Sequence, residues 1–102
     1  MGLAMLGDKV SAEQAVSWGL IWKCVDDGDL ASTTDALLAQ LAQAPTRGLA
    51  AIKRALYASS GNNLEQQLDL ERDLQRELGY SADYREGVAA FLEKRPPRFA
   101  GR

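Results

Sequence analysis

Apolar positions along most of this chain recur at intervals of three and four, the spacing that lines one face of an α-helix. Met1 to Leu6 is apolar and uncapped, reading as helix interior, and Gly7-Asp8-Lys9 breaks it. Ser11-Ala-Glu-Gln14 is a capping-box pattern, in which the serine oxygen and the glutamine side chain satisfy each other's free amides. The helix it opens carries Ala12, Ala15, Val16 and Trp18, and Gly19 is placed to end it in a left-handed turn. Ile21 to Val25 is short, β-branched and aromatic between Gly19 and Asp26-Asp27-Gly28, which predicts a strand with no second strand to pair with.

From Asp29 onward the pattern is helical. Leu30, Thr34, Leu37, Leu38 and Leu41 follow helical spacing, and Pro45 opens a further segment. That segment sets Leu49, Ile52, Leu56 and Tyr57 on one side and Lys53 and Arg54 on the other. Gly61-Asn62-Asn63 reads as a turn with an asparagine cap. Leu64, Leu68, Leu74 and Leu78 then stripe a helix of about 22 Å, whose polar side holds Glu65, Asp69, Glu71, Arg72, Asp73, Arg76 and Glu77. Gly79 ends it, and Ser81 caps a last helix with Val88, Phe91 and Leu92 on one face. Lys94 and Arg95 fall at that helix's negative end, before Pro96-Pro97 stop it. No repeat, low-complexity tract or long linker divides the chain, so residues 1–102 read as one mainly all-α domain with at most one short strand.

Composition narrows the chemistry. A formal net charge of −2 argues against a nucleic-acid binder, and no apolar run approaches a membrane span. No signal peptide is visible, and a single cysteine, Cys24, excludes an internal disulfide; both make the cytoplasm the expected location. The chain has no histidine, which removes Ser-His-Asp and Cys-His nucleophile systems. With one thiol and no imidazole, no metal site is expected. Carboxylate or backbone-dipole chemistry, or none, remains.

Three blocks together resemble the enoyl-CoA hydratase/isomerase (crotonase) family. They are Leu6-Gly-Asp-Lys through Ala12-Glu-Gln-Ala15 to Gly19-Leu20, then Pro45 with Ile52-Lys-Arg-Ala-Leu56, then Tyr84-Arg-Glu-Gly-Val-Ala-Ala-Phe91-Leu-Glu-Lys94-Arg95 with Pro-Arg-Phe99. Asp69 to Asp73 and the Ser81-Ala-Asp-Tyr-Arg-Glu-Gly87 run look closest to the phenylacetate-degradation branch. The resemblance implies a C-terminal helical region, with the catalytic half of the protein upstream. It implies a parent acting on acyl-CoA thioesters through two carbonyl-holding backbone amides and an acidic residue, and assembling as a trimer or dimer of trimers. Those amides and that acid match no residue here, so no catalytic residue is assigned and this chain alone is expected to be inactive. The coenzyme A ester is the parent's substrate, and no covalently bound cofactor is implied. By the same resemblance, Phe91 and Lys94 reach the coenzyme A bound in a neighbouring subunit, the ring beside adenine and the ammonium at a phosphate.

Each candidate also has a plainer reading. Phe91 and Lys94, spaced i, i+3, can be a core ring and a lysine complementing the helix end. Lys94, Arg95, Arg98 and Arg102 read as a solvated basic end, with Lys94 the possible exception. Asp69 and Asp73 are interleaved with Arg72 and Arg76, which favours a salt-bridged surface or subunit contact over acid/base work. Trp18 and Trp22 suit a core, an interface or an acyl pocket, and Cys24 a buried inert thiol. The alternative to the family reading is a free-standing helical protein-interaction module.

Overall fold

The computed structural model describes residues 2–102, in which the helices are α1 (Gly2–Leu6), α2 (Ala12–Ser17), α3 (Leu30–Ala42), α4 (Thr46–Ser59), α5 (Leu64–Gly79) and α6 (Ala82–Glu93). The chain forms two compact units, Met1–Asp35 and Ala36–Arg102, with the boundary inside α3.

In the first unit, Gly7 turns out of α1 with φ +70. The Ser11 hydroxyl accepts the Gln14 amide at 3.2 Å, which is one arm of the expected capping box; the return bond from the Gln14 side chain is not made. Gly19, at φ +71, ends α2 as its position predicts. The closing bonds run from Leu20 N–H to the Ala15 carbonyl at 2.8 Å and from Gly19 N–H to that of Val16 at 2.9 Å. Ala15 is the buried residue of this unit.

No strand forms at Ile21–Val25, nor anywhere among the described residues. The Ile21 amide is drawn to the Ala15 carbonyl, at 3.4 Å, and no second extended segment offers a ladder. A β-branched, aromatic composition favours strand only where a pleated surface is there to receive it. Trp18 and Trp22 are correspondingly exposed rather than core, and Cys24 is half-buried rather than buried.

In the second unit α4 packs on α5, and α5 on α6. The α4–α5 contact departs from the leucine stripes. Ile52, Leu56 and Tyr57 stay largely exposed, while Ala51, Ala55 and Ala58 are half-buried. Ala51 and Ala55 share a surface depression with Leu74 and Leu78 of α5. On α5 the turned-in row is Gln67, Leu70, Leu74 and Leu78; Leu64 and Leu68 face outward. Small residues on α4 let the helices approach closely, which a search for large apolar side chains passes over. Gln67 fixes the far end of the contact, donating to the Ala55 carbonyl at 3.3 Å and accepting from Asn62 at 3.0 Å.

The asparagine cap does form: Asn63 and Gln66 exchange both bonds of a full capping box, at 2.9 and 3.0 Å. At the other end of α5, Tyr80 caps the helix just beyond Gly79. The charged face of α5 is laced with ion pairs, Arg72 to Asp69 at 2.7 Å and Arg72 and Arg76 to Asp73 at 3.2 Å each. All of these groups are well exposed, so Asp69 and Asp73 form a solvated surface network rather than an acid/base pair.

Candidate functional site

The last helix and the residues after it build the site. Ser81 is buried and its hydroxyl accepts the Tyr84 amide at 3.0 Å, starting α6 where the sequence places it. Two residues on, Asp83 is only 5% exposed, and both its oxygens are taken by the tail. Oδ1 accepts the Ala100 amide at 2.7 Å and Oδ2 the Gly101 amide at 2.9 Å, while the Asp83 amide donates to the Arg102 carbonyl at 2.9 Å. One turn along, Glu86 accepts a two-pronged Arg95 fork at 2.6 and 3.0 Å and the Arg98 amide at 2.7 Å. The Arg95 fork first, and the Arg98 amide second, hold the Glu86 carboxyl down from 4.5 to about 2.

The tail backbone is therefore folded back and fastened to α6; of its basic side chains Arg95 is paired, while Lys94, Arg98 and Arg102 stay exposed as a solvated end. Its acidic partners lie within α6, upstream of the basic run, where linear charge counting does not pair them. Gly101 completes the fastening. At φ +73 it accepts a conformation that L residues resist, and a Cβ there would sit 2.6 Å from the Thr46 hydroxyl.

Folding back brings Phe99 against Gly87 of α6 and encloses one side of an open groove of about 460 Å³. Leu78, Tyr84, Val88, Phe91, Leu92 and Phe99 give it an apolar lining, and Pro45, Arg47 and Gln75 complete the rim. Phe91 is thus a groove residue, 82% exposed, and not a core ring. Lys94 lies just past the last turn, outside the groove lining, and its amide donates to the Phe91 carbonyl at 3.3 Å. Among the described residues neither Lys94 nor Arg98 makes an ion pair, whereas Arg95 is committed to Glu86 and Glu93. The groove has an apolar wall suited to an apolar or aromatic group, and the unpaired Lys94 follows Phe91 by three residues along the chain.

Sequence reasoning names Val88, Phe91 and Leu92 as one face, but misses Leu78, Tyr84 and Phe99 as the other walls. It also misses Asp83 and Glu86. Their signal was available as acids at the first turns of a helix preceding a basic, proline-stiffened tail.

No histidine, no metal-binding cluster among the described residues, and a buried carboxylate already bound to two amides leave this site without evident acid/base machinery.

The whole chain, residues 1–102, matches the family model described as enoyl-CoA hydratase/isomerase, and the chain belongs to that family. It is 58% identical over 102 residues to 1,2-epoxyphenylacetyl-CoA isomerase of Escherichia coli (strain K12), covering 100% of this chain and 39% of that protein. Trans-2-decenoyl-(acyl-carrier-protein) isomerase of Streptococcus mutans is 35% identical over 100 residues, covering 98% of this chain and 38% of that protein. The crystal structure of an enoyl-CoA hydratase from Polaromonas sp. JS666 matches with a TM-score of 0.88 and 35% identity, over 94% of this chain and 37% of that one. The chain spans less than two fifths of the length of each of these proteins. Membership shows that the likeness is more than shared helical patterning.

Proposed function

We propose that this chain is the ligand-binding and subunit-contacting region of an enoyl-CoA hydratase/isomerase that acts on an acyl-CoA thioester in phenylacetate degradation. The carrying observation is the 58% identity, without a break in coverage, to 1,2-epoxyphenylacetyl-CoA isomerase. Phe91 offers a ring face to the nucleotide base, and Lys94 supplies an ammonium to a phosphate of coenzyme A. The chemistry belongs to a part of the protein outside these residues, where two backbone amides polarise the thioester carbonyl and an acidic residue moves the proton. The chain corresponds to the C-terminal helical portion of the cytoplasmic parent enzyme, a trimer or dimer of trimers.

Two features support a role in assembly. Leu56, Leu64, Phe91 and Leu92 are each at least two-thirds exposed, more apolar side chain than a self-sufficient monomer of this size normally leaves in water. The exposed ion-pair network of α5 suits a polar rim.

The test is turnover. The full protein is expected to convert 1,2-epoxyphenylacetyl-CoA in preference to a straight-chain 2-trans-enoyl-CoA, and the purified 102-residue chain to convert neither. Loss of even one carbonyl-holding amide typically costs about 10²–10³ in rate. Turnover by the chain alone, or a full protein inert toward every CoA ester, would overturn the proposal.

A further inference from the structure

Lys94 is the one residue other than glycine with a positive φ among the described residues, at φ 53 and ψ 41. Helices that end in this left-handed turn usually place glycine there, because a Cβ crowds the neighbouring carbonyl. Lysine gains nothing sterically from the position, so something must hold it.

The hold comes from both sides. On the helix side, the amides of Lys94 and Arg95 close onto the carbonyls of Phe91 and Ala90 at 3.3 and 3.0 Å. On the tail side, the Arg95 guanidinium forks onto Glu86, and the same carboxylate accepts the Arg98 amide. Glu86 thereby ties down the residue that immediately follows the strained turn and the start of the tail beyond it.

We propose that Glu86 is a positioning residue for the anionic end of the ligand: by gripping Arg95 and the Arg98 amide, it pins the left-handed turn and fixes where the Lys94 ammonium stands. This rests on the reading of Lys94 as a phosphate contact. A flexible lysine on a frayed helix end would lose conformational freedom on meeting a phosphate, and a turn pinned in advance avoids part of that loss. Glu86 touches no ligand itself; it acts through Arg95.

The test is a double-mutant cycle on the full protein, titrating coenzyme A at low ionic strength, well below the thermal transition of every variant. Lys94→Ala is expected to weaken binding about tenfold, and Glu86→Gln about fivefold. In the Lys94→Ala background, Glu86→Gln should weaken binding no further. If Glu86→Gln does not fold, Arg95→Lys replaces it in the cycle with the same expectation, since a lysine cannot reproduce the fork. An equal loss in both backgrounds, or a lower thermal midpoint with unchanged affinity, overturns the inference and leaves the Lys94 reading standing. No loss on Lys94→Ala alone overturns that reading, and the inference with it.

Discussion

The carboxylate of Asp83, in the first turn of α6, accepts the backbone amide of Gly101 at 2.9 Å, across 18 residues of sequence. With the partner bond to Ala100, this fastens the tail and sets Phe99 as a wall of the groove. Asp83→Ala should lower stability by about 2–3 kcal/mol, since buried hydrogen bonds to a charged acceptor are lost and amides are left without it. Amide exchange checks the mechanism: protection at Ala100 and Gly101 should fall well before protection in α5. Gly101→Ala should release the same segment, because its Cβ would collide with Thr46. Tail amides that stay protected in both variants would show that the fastening lies elsewhere.

Leu74 is 7% exposed and faces the small residues of α4. Leu74→Ala should cost about 2–4 kcal/mol, the range for deleting a buried leucine. Leu68→Ala, on the same helix but 56% exposed, should cost well under half as much. Denaturant titration of the two variants separates them, and equal losses would contradict the assignment of the packed face.

Much of the local structure was legible in the chain itself. Ser11, Asn63 and Ser81 as caps, and Gly19 as a left-handed stop, follow from side chains bonding to their own neighbouring backbone, which needs no tertiary knowledge. What could not be read depends on partners. Ile21 to Val25 has strand composition without a strand to receive it. The α4–α5 contact uses alanines where large residues drew attention, and Leu70 lies in the buried row that Leu64 and Leu68 were expected to share. The fastening of the tail could not be read because Asp83 and Glu86 stand earlier in sequence, on a helix that only the fold turns toward the tail amides and Arg95. Phe91 and Lys94 came from a resemblance; spacing alone favoured a core ring and a helix-end lysine.

Lys94 also offers a contrast between stability and binding. Lys94→Gly should stabilise the chain by about 0.5–1 kcal/mol, because glycine occupies a left-handed turn without the Cβ penalty. Lys94→Ala keeps that penalty and should leave stability within about 0.5 kcal/mol of the parent sequence. Thermal denaturation of both variants is the check. A glycine variant less stable than the alanine variant would mean that the turn is not held as described.

The Glu86–Arg95 pair makes stability depend on pH in a defined direction. The Glu86 carboxyl titrates at about 2 in the folded chain against 4.5 ordinarily. A depressed folded value means the contribution is complete above the ordinary value and is lost as pH falls toward the folded one. The stability gap between the parent sequence and Glu86→Gln should therefore be constant from about pH 7 to about pH 5, and shrink from there to about pH 2. A gap that is the same at both ends of that range would contradict the pairing.

Steady-state kinetics of the full protein at low ionic strength, comparing the parent sequence with Lys94→Ala on an acyl-CoA ester, tests the central claim most directly. The account predicts a KM raised about tenfold, an effect that fades as salt is added, with kcat at saturation little changed. Uniform binding would be lost in that variant, while stabilisation of the transition state, which the proposed function assigns to residues outside this chain, would be retained. An unchanged KM at low salt would contradict it, leaving Lys94 as a strained helix end with no ligand to meet.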